Sequence, residues 1–103
     1  GRGRRAAEIL QAEMRQPPSL LSLAKRVGIN DYKLKKGFKA IYRSTAFDYL
    51  RQIRMEHAMQ LLRGGHCNVT EAAVETGYSN MSAFSEQFGK TFGIKPSEVK
   101  RFY

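Results

Sequence analysis

Apolar residues return along this chain with a helical rather than a strand period. Leu34, Phe38, Ile41 and Tyr42 stand at i, i+4, i+7 and i+8, one apolar stripe of a helix. The same reading along the chain predicts about seven helices and no strand. The first runs from Arg4 to Gln16, with Ala7, Leu10, Ala12 and Met14 as an imperfect apolar side, and Pro17-Pro18 stops it. Ser19 is placed to cap a helix from Leu20 to Val27. A third spans Asp31 to Tyr42, and a long one runs from Thr45 to Arg63 and closes at Gly64-Gly65. Two more follow, Thr70 to Thr76 and Asn80 to Phe92, and Pro96 opens a short last helix toward Tyr103.

The pattern occurs twice. Leu23-Ala24 through Gly28, then Leu34, Phe38 and Tyr42, is matched by Ala72-Ala73 through Gly77, then Phe84, Phe88 and Phe92. Ala24 answers to Ala73, Gly28 to Gly77 and Phe38 to Phe88, so the offset is 49 residues before the glycine and 50 after it. One extra residue is expected in the second turn. A small residue in the first helix permits close packing, and a glycine at its end permits a sharp left-handed turn. This is the logic of a helix-turn-helix pair. The expected fold is all-α, with a first helix-turn-helix subdomain over residues 1–44, a connecting helix over 45–64 and a second subdomain over 65–103. Nearly 20 connector residues rise close to 30 Å, which suits adjacent turns of a B-DNA major groove about 34 Å apart.

Opposite the apolar stripe of the third helix stand Tyr32, Lys36, Lys39 and Arg43 in one row, flanked by Lys33 and Lys35. Charge makes that row informative. The formal net charge is +9 and the pI about 10.1. Residues 1–54 hold thirteen basic against four acidic side chains, and residues 55–103 hold five of each. All the net charge lies with the first repeat, so a polyanionic partner is expected. A solvated charged face is the plainer alternative; five basic residues within Lys33 to Arg43, beside a turn, favour phosphate and base contact.

Other chemistry finds little support. Cys67 is alone, so neither an internal disulfide nor a cysteine-rich zinc site is possible within the chain, and it reads as an ordinary thiol in the loop before the second repeat. His57 and His66 have no acidic or cysteine partner at ligand spacing. Gly64-Gly65 lacks a phosphate-loop context, and no nucleophile-base order points to an enzyme, so no catalytic residue, cofactor or metal is expected. Phe38, Phe84, Phe88 and Phe92 stand at core spacing rather than as a stacking platform. Arg54, among Phe47, Leu50, Ala58 and Leu61, is expected to pair internally rather than reach a phosphate. No stretch approaches the roughly 18 to 20 apolar residues of a membrane span, and a cytoplasmic location is expected.

The chain resembles the DNA-binding domain of AraC/XylS-type bacterial transcription regulators. The residues that carry the resemblance are Leu23-Ala24 with Gly28, Leu34 with Phe38-Lys39, Tyr49-Leu50, Arg54-Met55, Ala58 and Leu61-Leu62. They continue with Val69 to Ala73, Gly77-Tyr78-Ser79, Ser82 to Ser85, Phe88, Phe92-Gly93 and Pro96-Ser97. The resemblance implies two helix-turn-helix units held by a connecting helix against neighbouring major-groove segments. It also implies base contacts from Tyr32, Lys33, Lys35 and Lys36 in the first unit and from Met81, Ser82, Ser85 and Glu86 in the second, with Lys90 beside them. Against the family's usual pattern, Glu86 replaces Arg, Gly89 replaces Lys, Arg43 replaces Gly and Lys95 replaces Thr. Asn30, Tyr32 to Lys35 and Gly37-Phe38 resemble the branch that includes regulators of siderophore and iron-uptake genes.

The expected function is sequence-specific binding of double-stranded DNA in transcription regulation. A non-specific architectural or RNA-binding basic module is the alternative that net charge alone would serve. The missing initial methionine and the close fit around the repeats lead us to expect a domain cut from a longer protein. RNA polymerase and an N-terminal effector or dimerisation part outside this chain are the further candidate partners.

Overall fold

A computed structural model describes residues 1–99, and these fall into two units, Gly1–Arg51 and the residues from Gln52 onward. Among the described residues there are six α-helices, one 3-10 turn and no strand. The helices are α1 (Arg2–Ala12), α2 (Leu20–Val27), α3 (Asp31–Tyr42), α4 (Ala46–Gly64), α5 (Val69–Glu75) and α6 (Met81–Phe92); the 3-10 turn is Pro96–Glu98. The division falls inside α4, so the connecting helix gives its first residues to one core and the rest to the other.

The first unit packs α1, α2 and α3 around Ala6, Ala7, Leu10, Leu23, Ala24, Val27, Leu34 and Phe38, with Leu50 from the start of α4. Phe38 and Leu34 are buried as the stripe predicts, and burying each large apolar side chain contributes about 1.5–3 kcal/mol. Phe38 meets Tyr49 edge-on at 5.2 Å between ring centres and Tyr42 at 4.7 Å. The Tyr49 hydroxyl accepts a hydrogen bond from Gln11 Nε2 at 2.6 Å, so its polar end is satisfied beside α1.

Three local expectations are corrected. The first helix ends at Ala12, not Gln16, because Glu13 leaves helical geometry at φ −116° and gives its carboxylate to Arg26. Its buried side is Gly3, Ala6, Ala7 and Leu10, a continuous i, i+3, i+4, i+7 stripe, and Ala12 lies out of phase with it and is exposed. Ile41 is 56% exposed rather than part of the core, because it reaches over Gly3 of α1, which has no side chain to cover it. Phe47, expected on the apolar side of the connector, is 59% exposed, and the buried side of α4 is Leu50, Met55, Ala58, Met59 and Leu62.

The second unit has its own core of Met55, Ala58, Met59, Leu62, Ala72, Ala73, Phe84, Phe88 and Val99, edged by Tyr78, Phe92 and Ile94. Among the described residues Thr76 is its one fully buried polar side chain, and its hydroxyl donates to the carbonyls of Ala72 and Ala73 at 2.8 and 3.1 Å, so its oxygen is not stranded. The Arg54 guanidinium lies 5.4 Å from the centre of the Tyr78 ring, a cation–π contact within the second unit. Cys67 is half-buried in the loop between α4 and α5. The helix expected toward Tyr103 begins at Pro96, and its last positions lie outside the described residues.

Candidate nucleic-acid interface

Each recognition helix is set by caps that the sequence carries next to it. Asn30 accepts from the Lys33 N–H at 2.8 Å to start α3, and Asn80 accepts from the Ala83 N–H at 3.0 Å to start α6. Before them, Ser19 caps α2 and Asn68 with Glu71 forms a reciprocal capping box on α5. The repeat is explicit in the turns. Gly28 has φ 78° and Gly77 has φ 92°, the left-handed region that lets the chain reverse between the paired helices. Between that glycine and the capping asparagine stand Ile29 alone in the first unit and Tyr78-Ser79 in the second, which is the extra residue the offsets required.

On α3 the structure exposes Tyr32, Lys33, Lys35, Lys36, Lys39 and Arg43 opposite the buried pair Leu34 and Phe38. Tyr32 is 68% exposed, and the Lys36 ammonium stands 5.9 Å from the centre of its ring. The two residues occupy one outward row a helical turn apart. Arg43 ends the helix with φ 58° and ψ 25°, and its N–H bonds to the Lys39 carbonyl at 2.8 Å. It is the one non-glycine residue with positive φ among the described residues, and it stands where Gly93, φ 76°, ends α6 in the second copy.

On α6 the exposed candidates are Met81, Ser82, Glu86 and Lys90, whereas Ser85 is half-buried beside the Phe84 and Phe88 core face. Lys90 and Glu86 form an i, i+4 ion pair at 3.3 Å. The outer face of α6 is therefore internally neutralised, and that of α3 is not. Ala40 and Ala83 also lie exposed on these helices. They carry no charge or donor to flag them in a sequence, but an alanine methyl can meet a thymine methyl in the major groove.

Beside α3, a recess of about 430 Å³ is walled by Leu20, Ala46 and Phe47, with Lys35 and Lys39 at its edge. Elsewhere in the first unit Arg26 is held by Glu13 in a two-armed ion pair, 2.8 Å from Nη1 to Oε1. The hydrogen bond from Arg26 lowers the Glu13 carboxyl below its ordinary value, and Glu13 raises the Arg26 guanidinium in turn.

These features define a class, a double helix-turn-helix module with basic outer faces, and the comparisons with known proteins agree. A family described as a helix-turn-helix domain matches residues 23–101. A probable thc operon regulatory protein of Rhodococcus erythropolis is 34% identical over 101 residues, covering 95% of this chain and 30% of that protein. The C-terminal domain of AraT, a response regulator from Geobacillus stearothermophilus, superposes with a TM-score of 0.90 at 28% identity, covering 99% of this chain and 85% of that one. The DNA-binding domain of AdpA, solved with a target DNA, shares the fold at a TM-score of 0.88 and 19% identity, covering 98% of this chain and 91% of that one. The chain belongs to the AraC-type helix-turn-helix family and is a DNA-binding domain of a transcription regulator. It spans about a third of the length of the curated relatives over which it matches most fully. No helix of the described residues is long and apolar enough to cross a membrane.

Proposed function

We propose that this domain reads a continuous double-stranded site as a monomer, with α3 and α6 serving major-groove segments about one helical turn apart. The observation that carries the reading is the exposed row Tyr32, Lys36, Lys39 and Arg43 directly opposite buried Leu34 and Phe38. Its lysines supply the donors that phosphates and the guanine O6 and N7 acceptors take, and Tyr32 offers an apolar face to a thymine methyl. On α6, Glu86 is suited to accept from a cytosine amino group, with Met81, Ser82 and Ser85 around it.

In the whole regulator, this module works in the bacterial cytoplasm beside an effector-binding or dimerising part, and its bound position sets contact with RNA polymerase. Selection of bound sequences from random duplex, followed by footprinting at stated salt, tests the reading. Protection of two groove segments by a monomer, with preference over scrambled duplex and over RNA, is expected. Protection of a single segment, or equal affinity for RNA, would overturn it.

A further inference from the structure

Helix α1 packs against α3 at Gly3, with the end of the Ile41 side chain lying over the glycine. A Cβ placed on Gly3 would lie 2.8 Å from Ile41 Cδ1, 3.7 Å from the Gly37 carbonyl oxygen and 3.8 Å from its carbon. Gly3 therefore faces the α3 backbone at Gly37 at ordinary contact distance. Gly37 follows Lys36 and stands one turn after Lys33, so the first turn of α1 runs beside the basic half of α3.

That turn carries Arg2 and Arg4 on either side of Gly3, both exposed, and neither side chain makes an ion pair or hydrogen bond among the described residues. Glu8, one turn beyond Arg4, makes no ion pair with it. In the same unit, by contrast, Arg26 and Arg51 are held by Glu13 and Asp48. Gathering free arginines against a lysine-bearing helix costs repulsion, and a polyanion lying along both elements removes that cost.

We propose that Arg2 and Arg4 form a second, backbone-tracking contact of the first unit, holding DNA phosphates beside the groove segment that α3 reads. The inference rests on α3 being a recognition helix. Because phosphates carry no sequence information, these arginines set affinity and register while α3 sets base preference. Arg5 lies about 200° around the helix from Gly3 and faces away from α3.

The test is a salt titration of operator binding by the full chain, comparing Arg2→Gln/Arg4→Gln with Arg5→Gln and Lys36→Ala. The double variant is expected to lower the slope of log affinity against log salt by about 1.8, about 0.9 for each phosphate contact given up, with unaltered base preference. Arg5→Gln is expected to leave the slope in place. An unchanged slope in the double variant, an equal loss from Arg5→Gln, or a shifted base preference would each overturn the proposal. Lys36→Ala separates the two readings: if it weakens binding while the double variant keeps its slope, the α1 contact alone fails, and if it leaves binding intact, the role of α3 fails and the α1 proposal with it. All the substituted arginines are exposed, so matching thermal melts confirm that the comparison is between folded proteins.

Discussion

The Glu86 carboxylate and the Lys90 ammonium lie 3.3 Å apart, one turn from each other on the outer face of α6. Both groups are largely exposed, so the pair adds little to stability; its effect is to occupy the one cation of that helix. Glu86→Ala is expected to free Lys90 and steepen the salt dependence of non-specific binding by about 0.9. Glu86→Arg should steepen it further and change base preference in one half of the site only. Binding curves on operator and scrambled duplex at two salt concentrations check this; unchanged curves would mean that α6 is not seated in the groove.

Lys36 behaves oppositely, since its ammonium lies over the Tyr32 ring and makes no ion pair among the described residues. Lys36→Ala should weaken operator binding and flatten its salt dependence by about 0.9, while Tyr32→Phe, which keeps the ring face, should leave the lysine's contribution in place. Tyr32→Ala should lose discrimination at one base position. Equal losses from Lys36→Ala and Glu86→Ala on the same duplex would contradict the asymmetry between the two helices.

Arg43 is held at φ 58°, a conformation that costs a side-chain-bearing residue about 1–2 kcal/mol. Arg43→Gly should raise stability by about 0.5–1 kcal/mol after the glycine's own entropy is discounted. The same change removes a cation from the α3 row, so affinity for DNA should fall while the melting temperature rises by a few degrees. Calorimetry and binding on one preparation test both signs; a fall in melting temperature would refute the strain.

The Glu13–Arg26 pair predicts a pH dependence. The carboxyl is lowered in the folded state by the hydrogen bond from Arg26, so its contribution to stability is present above the ordinary carboxylate range and is lost as pH falls through the lowered value. Wild type and Glu13→Gln should therefore differ slightly in melting temperature near pH 7 and converge below about pH 4. Both side chains are partly exposed, so the difference should also shrink in high salt. A constant difference across that pH range would show that the carboxylate's charge is not involved.

Much of the fold was legible because its signals are local. Caps such as Ser19 and Asn30, the turn glycines and the 3.6-residue stripes fix α2 and α3 to the residue, and the doubled pattern exposes the one-residue difference between the turns. What escaped depends on neighbours distant in sequence. Ile41 belongs to the stripe by spacing, yet the surface it faces is Gly3, and only α1's approach reveals that. Phe47 looks buried by type and is not. The outward row of α3 could be read from its charges. The balance on α6 could be noted as Glu86 and Lys90 at pairing distance, but whether they pair is a matter of rotamers.

The caps also mark where this chain can be cut and rejoined. Residues 81–92 are bounded by Asn80, which starts α6, and Gly93, which ends it, and both hold the backbone without help from the outer face of the helix. Only Phe84 and Phe88 of that stretch are fully buried. A foreign recognition sequence that keeps those two anchors and the half-buried positions around them can be grafted between the caps as a cassette. For the engineer of new operators, α6 is the replaceable part, and because it brings no net charge of its own, exchanging it leaves the basic row of the first unit as it was.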